Sequence, residues 1–216
     1  MKIVLGLILT SLLISGCIHQ NTRANIFENP VCTPPCWENI TPGITKKTEA
    51  LTILSKINSI DQPIYDPNKS SSGFDDLIRF TFDNNPDKAG FLYILDDKVV
   101  MIGFYLFLNL SIQQAIDLLG EPQNLLGIRS GEIYSVTLIN DQKGFAYNSN
   151  LPDRATEINP KNKIYSLILF DPKIYPMLLK TGILSRDQMN TENTIKNIRP
   201  WEGFVGLNQY MTPLPP

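Results

Sequence analysis

The spacing of apolar residues changes along this chain, and the changes mark out its elements. Ala50, Ile53, Leu54 and Ile57 recur at i, i+3, i+4 and i+7, the signature of one helix face. Thr45 can cap that helix, which ends near Asn58 with Pro63 beyond. A second helix is better signalled. Ser111 and Gln114 form a capping box, and Ile112, Ala115, Ile116 and Leu119 make the apolar stripe. Gly120-Glu121-Pro122 stops it. An offset of 65 residues lays Gln114–Leu119 over Glu49–Leu54 with the same physical pattern.

Period-two and continuous apolar runs follow each helix. After the first they predict strands over 77–82, 89–95 and 99–108, with a tight turn at Asp96-Asp97-Lys98. The run from Val99 to Leu108 is apolar on both faces, as in a central, covered strand. After the second helix the predicted strands are 133–139, 144–147 and 164–170. The stretches 67–73 and 148–163 are polar, contain proline and predict loops. Residues 174–180 predict one or two helical turns, and 186–198 a further polar helix. The pattern therefore predicts an α+β fold of two tandem units, each a helix followed by an antiparallel sheet of about three strands. The units would span 32–108 and 109–216, the second including a C-terminal tail.

The amino terminus reads differently. Met1-Lys2 is followed by an apolar run of thirteen residues, Ile3 to Ser15. That is short of the ~20 residues a membrane-spanning helix needs and suits a signal-peptide core. Ile14-Ser15-Gly16-Cys17 resembles the lipobox of bacterial lipoproteins, in which the cysteine thiol takes a diacylglyceryl group and becomes the first residue after cleavage. The resemblance implies a signal peptide over 1–16, lipidation at Cys17 and a lipidated tether over 17–31. It also implies an extracytoplasmic, membrane-anchored location. Ile18 stands where lipoproteins of an inner membrane usually carry aspartate, which favours the outer membrane if the source has two. Two or three acyl chains on one residue anchor stably, since each buried methylene contributes about 0.8 kcal/mol. The fourteen residues 18–31, fully extended, reach about 50 Å from the bilayer.

Composition narrows the chemistry. The chain has 216 residues, 43% hydrophobic and 19% charged, a net charge of −2 and one histidine. Removing the first sixteen leaves 200 residues at charge −3, because Lys2 is lost and no acid is. This suffices for a packed core and gives no basic footprint for nucleic acid. His19, the one imidazole, falls in the tether, which argues against a Ser-His-Asp triad, a Cys-His pair or a multi-histidine zinc site. No phosphate-cradling glycine motif or nucleophile elbow occurs, including at Ser130 and Ser135, and no calcium loop. No cofactor and no metal are expected. The acidic pairs Asp75-Asp76 and Asp96-Asp97 read as turn residues.

Cys32 and Cys36 remain once Cys17 is acylated. Outside the cytoplasm such a pair normally forms a disulfide, here one that closes a turn and delivers Trp37 to the domain. A redox site and a shared metal site are the alternatives, although the spacing is three residues and no further nitrogen or sulfur ligand is at hand. Arg199, Trp201, Phe204 and Tyr210 are residue types enriched at interface hot spots. They also suit the tacking of a terminal segment onto its domain.

Two resemblances follow from these motifs. Cys32-Thr33-Pro34-Pro35-Cys36-Trp37-Glu38-Asn39-Ile40-Thr41-Pro42-Gly43-Ile44-Thr45 resembles the opening of a family of uncharacterised bacterial lipoproteins, which implies a cell-envelope location and no particular activity. Leu118-Leu119-Gly120-Glu121-Pro122 is similar to the ending of a pattern in outer-membrane assembly factor domains and the beta-lactamase inhibitor protein. Leu110 departs from that pattern's glycine. These resemblances imply a binding or scaffold module that leans away from catalysis, with an envelope protein or glycan as partner beside the membrane itself. A carboxylate-dependent, glycan-directed hydrolase and a small solute-binding lipoprotein are the rival expectations.

Overall fold

The structure is a computed structural model that describes residues 32–61, 63–66, 73–105, 109–130, 133–152, 155–184 and 195–210. The signal peptide, Cys17, His19 and the tether lie outside them, as do most of the expected loop 67–73 and of the expected helix 186–198.

Helix α1 (Lys47–Leu54) leads into strands β1 (Ile64–Asp66), β2 (Asp76–Phe82), β3 (Asn85–Leu95) and β4 (Lys98–Tyr105). Helix α2 (Ile112–Leu119) leads into β5 (Asn124–Ser130), β6 (Ile133–Asn140), β7 (Phe145–Leu151) and β8 (Ile164–Phe170). A 3-10 turn over Pro172–Ile174 runs into α3 (Tyr175–Thr181), followed by β9 (Ile198–Pro200) and the one-turn helix α4 (Leu207–Tyr210). All nine strands join one antiparallel sheet in the order β1-β2-β3-β4-β8-β7-β6-β5-β9.

This corrects the expectation of two tandem units with a three-stranded sheet each. β4 pairs with β8 from Met101↔Phe170 to Tyr105↔Ser166, so the sheet is continuous. The reason lies in β4 itself. Six successive residues from Val99 to Phe104 are buried, and a strand apolar on both faces needs a neighbour along each edge and a covering layer above and below. β3 supplies one edge and β8 the other. The expectation also lacked β1, β5 and β9. The first and last are three-residue edge strands too short to carry a pattern, and β5 opens on the polar Asn124 and carries Gly127. β7 runs through Asn148–Leu151, which reads as loop from polarity alone, because Asn148 and Ser149 are buried inside the sheet.

Two hairpins turn on Asp83-Asn84 and Asp96-Asp97, all four with φ between 50° and 57°. A two-residue turn of that twist needs positive φ at both centres, which Asn and Asp tolerate best among residues with a side chain.

α1 does not start as expected. Lys46 takes the N-cap position without a side-chain bond, and the Thr45 hydroxyl instead accepts from the Thr41 N–H at 2.8 Å. The first turn of α1 is held from outside, Lys47 N–H donating to Asp97 O in the β3–β4 turn. In α2 the capping box is complete: Ser111 Oγ accepts from Gln114 N–H, and Gln114 Oε1 accepts from Ser111 N–H. Ser111→Ala is expected to cost about 1 kcal/mol, read as a lower denaturant midpoint at unchanged slope. An unchanged midpoint would mean that packing alone sets the start of α2.

The two sheet faces carry separate cores. On one face α1, α2 and the terminal segments cover Ile78, Phe80, Leu92, Ile102, Phe104, Leu138, Tyr147 and Leu167. On the other, α3 and its preceding turn pack on Met101, Ile139, Ala146, Ile168 and Phe170. Trp37 belongs to the first core: it is 4% exposed, stacked on Phe80 at 5.6 Å and edge-on to Phe104 at 5.0 Å. Cys32 and Cys36 are joined by a disulfide immediately before it, as the expected turn-closing bridge requires.

Candidate ligand-binding cup

The second face is not covered evenly. Register places Thr81, Ala89, Tyr105, Ser166, Asn148, Thr137 and Leu126 opposite one another across seven strands. Toward β6 this row is buried and polar. Asn148 Nδ2 donates to Ser166 Oγ at 2.6 Å, while the Thr137 hydroxyl is shared between Asn148 Oδ1 and the Leu184 carbonyl. A satisfied buried network of this kind pins register and holds the end of α3 against the sheet.

Toward β2 the same face opens into a cup of about 370 Å³, lined by Arg79, Pro86, Asp87, Ala89, Phe91, Tyr93 and Tyr105. Strand alternation puts Arg79, Ala89, Phe91, Tyr93 and Tyr105 on this side, with Phe80, Leu92 and Phe104 on the other. Arg79, Phe91 and Gly103 lie in one cross-strand row. The missing side chain at Gly103 leaves room that Tyr105 uses, its ring edge lying 3.1 Å from where a Cβ would stand. Tyr105 meets Phe91 edge to face at 5.4 Å and shares a side-chain hydrogen bond with Tyr93. Burial pushes the Tyr93 phenol above its ordinary pKa, outweighing that bond, so it remains a neutral donor at physiological pH.

Arg79 is the distinctive residue. One terminal nitrogen donates to the Pro86 carbonyl at 3.1 Å, while its Nε is buried and has no hydrogen-bond partner among the described residues. Leaving a buried donor unpaired costs on the order of 1–3 kcal/mol. The Nε is too buried for an acceptor in the cup to reach, so what Arg79 offers an occupant is the terminal end of its guanidinium, which a carboxylate matches best. Asp87 adds an exposed carboxylate at the rim. The walls are rings, the rim is charged, and most lining residues are half-exposed.

Among the described residues the other buried side-chain atom without a partner is the Tyr147 hydroxyl, in the opposite core, whose ring stacks on Phe145 at 6.1 Å. Burial first, and the charge of Glu121 second, raise its pKa.

The sequence-selected aromatic group sits elsewhere. Trp201 stacks on Tyr210 at 5.8 Å and meets Phe204 edge-on at 5.5 Å. Trp201 Nε1 donates to Glu121 Oε2, and the Tyr210 hydroxyl donates to Gly203 O while accepting from Glu202 N–H. Tyr210 is 4% exposed. Arg199 lies in β9 opposite Leu125 and donates to the carbonyls of Lys196 and Ile198. The three rings thus contact one another beside the sheet edge, while the bonds of Arg199 are to carbonyls of its own segment. The carboxylates of the first acidic pair are likewise occupied. Asp75 Oδ2 accepts from Asp96 N–H at 2.7 Å, and Asp76 pairs with Lys47 at 2.6 Å. Among the described residues no cluster of three or more His, Cys, Asp or Glu side chains could hold a metal, and no helix is long and apolar enough to cross a membrane.

Sequence reading missed the cup. Its residues come from three strands and are spaced two apart within each, so they look like ordinary solvent-facing positions. The available signal was local: Arg79, Phe91, Tyr93 and Tyr105 are large residues at the alternate positions of strands whose other face is already fully apolar.

No protein-family model matches the chain, and comparison with curated proteins gives no match. Among solved structures, an extracellular protein containing an SCP domain from Bacillus anthracis str. Ames is similar at 9% identity and a TM-score of 0.31. The similarity covers 66% of this chain and 47% of that protein, about half its length. A likeness of that size carries no functional argument.

Proposed function

We propose that this chain is a lipid-anchored, non-catalytic binding module of the bacterial cell envelope, and that the cup between β2 and β4 is its ligand surface. The carrying observation is the aromatic-walled cavity of about 370 Å³, with the Arg79 guanidinium in its lining and the Asp87 carboxylate at its rim. That volume lies in the range of small-ligand sites, which pair apolar walls with a few convergent polar groups. The extracytoplasmic, anchored location is supported by the short apolar leader, the Ile14-Ser15-Gly16-Cys17 box and the disulfide, which persists in oxidising compartments.

Two experiments test the proposal. Cys17→Ser is expected to move the protein from the detergent-soluble membrane fraction into the soluble fraction of fractionated cells; unchanged membrane retention would refute the anchor. A photo-crosslinking residue at position 91 is expected to take up envelope material in intact cells, and one on the exposed face of α1 at Glu49 to take up none. Equal labelling at both positions would refute the cup. Turnover of a peptide, ester or glycan by the purified protein, abolished by one side-chain change, would refute the non-catalytic reading.

A further inference from the structure

We infer that the cup takes a carboxylate-bearing saccharide unit, with the sugar ring against Phe91 and Tyr105 and its carboxylate on Arg79. This rests on the binding-module reading and supplies its ligand class. Each wall of the cup constrains the occupant. Phe91 and Tyr105 stand edge to face and are half-exposed, offering a bent aromatic surface rather than a closed slot. A pyranose presents an apolar C–H face of matching size and remains solvated on its other side.

Arg79 calls for an anionic acceptor. Its Nε is buried out of an occupant's reach, so the reachable part of the fork is its terminal nitrogens, one of which already donates to the Pro86 carbonyl, and a carboxylate bonds there. Asp87 works against a bare anion, because a second carboxylate at the rim repels it. The same carboxylate accepts hydrogen bonds from ring hydroxyls. An occupant that satisfies both residues carries an acid and several hydroxyl donors on one compact ring. The Tyr93 phenol, neutral and already bonded to Tyr105, adds a hydroxyl that can also accept from the sugar. The openness of the site lets such a unit belong to a longer acidic glycan.

The test uses the full-length protein in detergent micelles, with oligogalacturonate as probe, a neutral dextran oligomer as the uncharged sugar and a phenylalanyl dipeptide as the non-sugar acid. Calorimetry is expected to detect oligogalacturonate and neither of the others. Arg79→Gln should weaken oligogalacturonate roughly ten- to a hundredfold, the worth of a charged hydrogen bond, at an unchanged melting temperature. Arg79→Lys, which keeps the charge without the fork, should fall between the two.

Asp87→Ala decides the point independently of Arg79 and lies at an exposed position. A loss of roughly two- to tenfold supports hydroxyl recognition. Tighter binding would mean plain anion attraction and overturn the inference. Binding of the dipeptide in place of the saccharide would overturn the ligand class while leaving the binding module standing. If no probe binds and position 91 also captures nothing in the envelope, the cup itself is refuted.

Discussion

Trp37→Ala is expected to lower the melting temperature by roughly 6–20 °C, the shift that a loss of about 3–5 kcal/mol produces in a chain of this size. The side chain stacks on Phe80 and meets the edges of Phe82 and Phe104 at 6.3 and 5.0 Å, so its removal opens a cavity bounded by three rings. Those rings cannot close the gap easily. Phe80 lies directly over Gly90, where an added Cβ would come within 2.2 Å of its ring, and β2 and β3 hold it by paired backbone. The backbone of Trp37 is also fixed, exchanging hydrogen bonds with Ile40 at 3.0 and 2.7 Å. Thermal unfolding followed by near-ultraviolet circular dichroism checks the prediction. A shift below 2 °C would show that the N-terminal turn sits on the core without belonging to it.

Gly144→Ala is the second large effect, about 3 kcal/mol from two causes that add. Gly144 has φ +72°, a left-handed conformation that costs an L-residue about 1–2 kcal/mol. A Cβ there would also stand 2.1 Å from the Phe170 carbonyl oxygen. Because that neighbour is backbone in a central strand, relief requires breaking the Phe170 N–H to Gly144 O bond of 2.8 Å. Gly203 isolates the first cause, since it has φ +87° with nothing within 4 Å of an added Cβ. Chemical denaturation of the two alanine variants should therefore separate a loss of about 1–2 kcal/mol at 203 from the larger one at 144. Equal losses would mean that β7 and β8 yield at their junction.

The contrast between what the sequence discloses and what it hides is physical. α2 is legible because its start is written in Ser111 and Gln114 and its end in Gly120, whose bonds close within the helix itself. The start of α1 is not, because its first turn is held by Asp97, fifty residues on. β4 announces its central position through six consecutive apolar residues. Its choice of β8 as partner depends on residues sixty positions away, and no local pattern encodes a long-range edge. The second half of β7 reads as loop from polarity because Asn148 and Ser166 satisfy each other across the sheet, which turns polar residues into core. The same averaging hides the cup. Trp201 and Tyr210 attract notice as conspicuous aromatics near the carboxyl end, yet each already spends its polar atom on a neighbour. Arg79 is inconspicuous in sequence and, among the described residues, leaves its Nε without a bond.

The pairing of β4 with β8 also fixes an order of events during synthesis. Tyr105 precedes Ile164 by 59 residues, so at about 5–20 residues per second β4 waits roughly 3–12 s for its partner. Throughout that interval its most apolar stretch is a bare sheet edge, able to pair with any extended chain nearby. A chain of this design must be kept from premature association until the last third has emerged, and the vulnerable surface is the seam rather than the tip of either half.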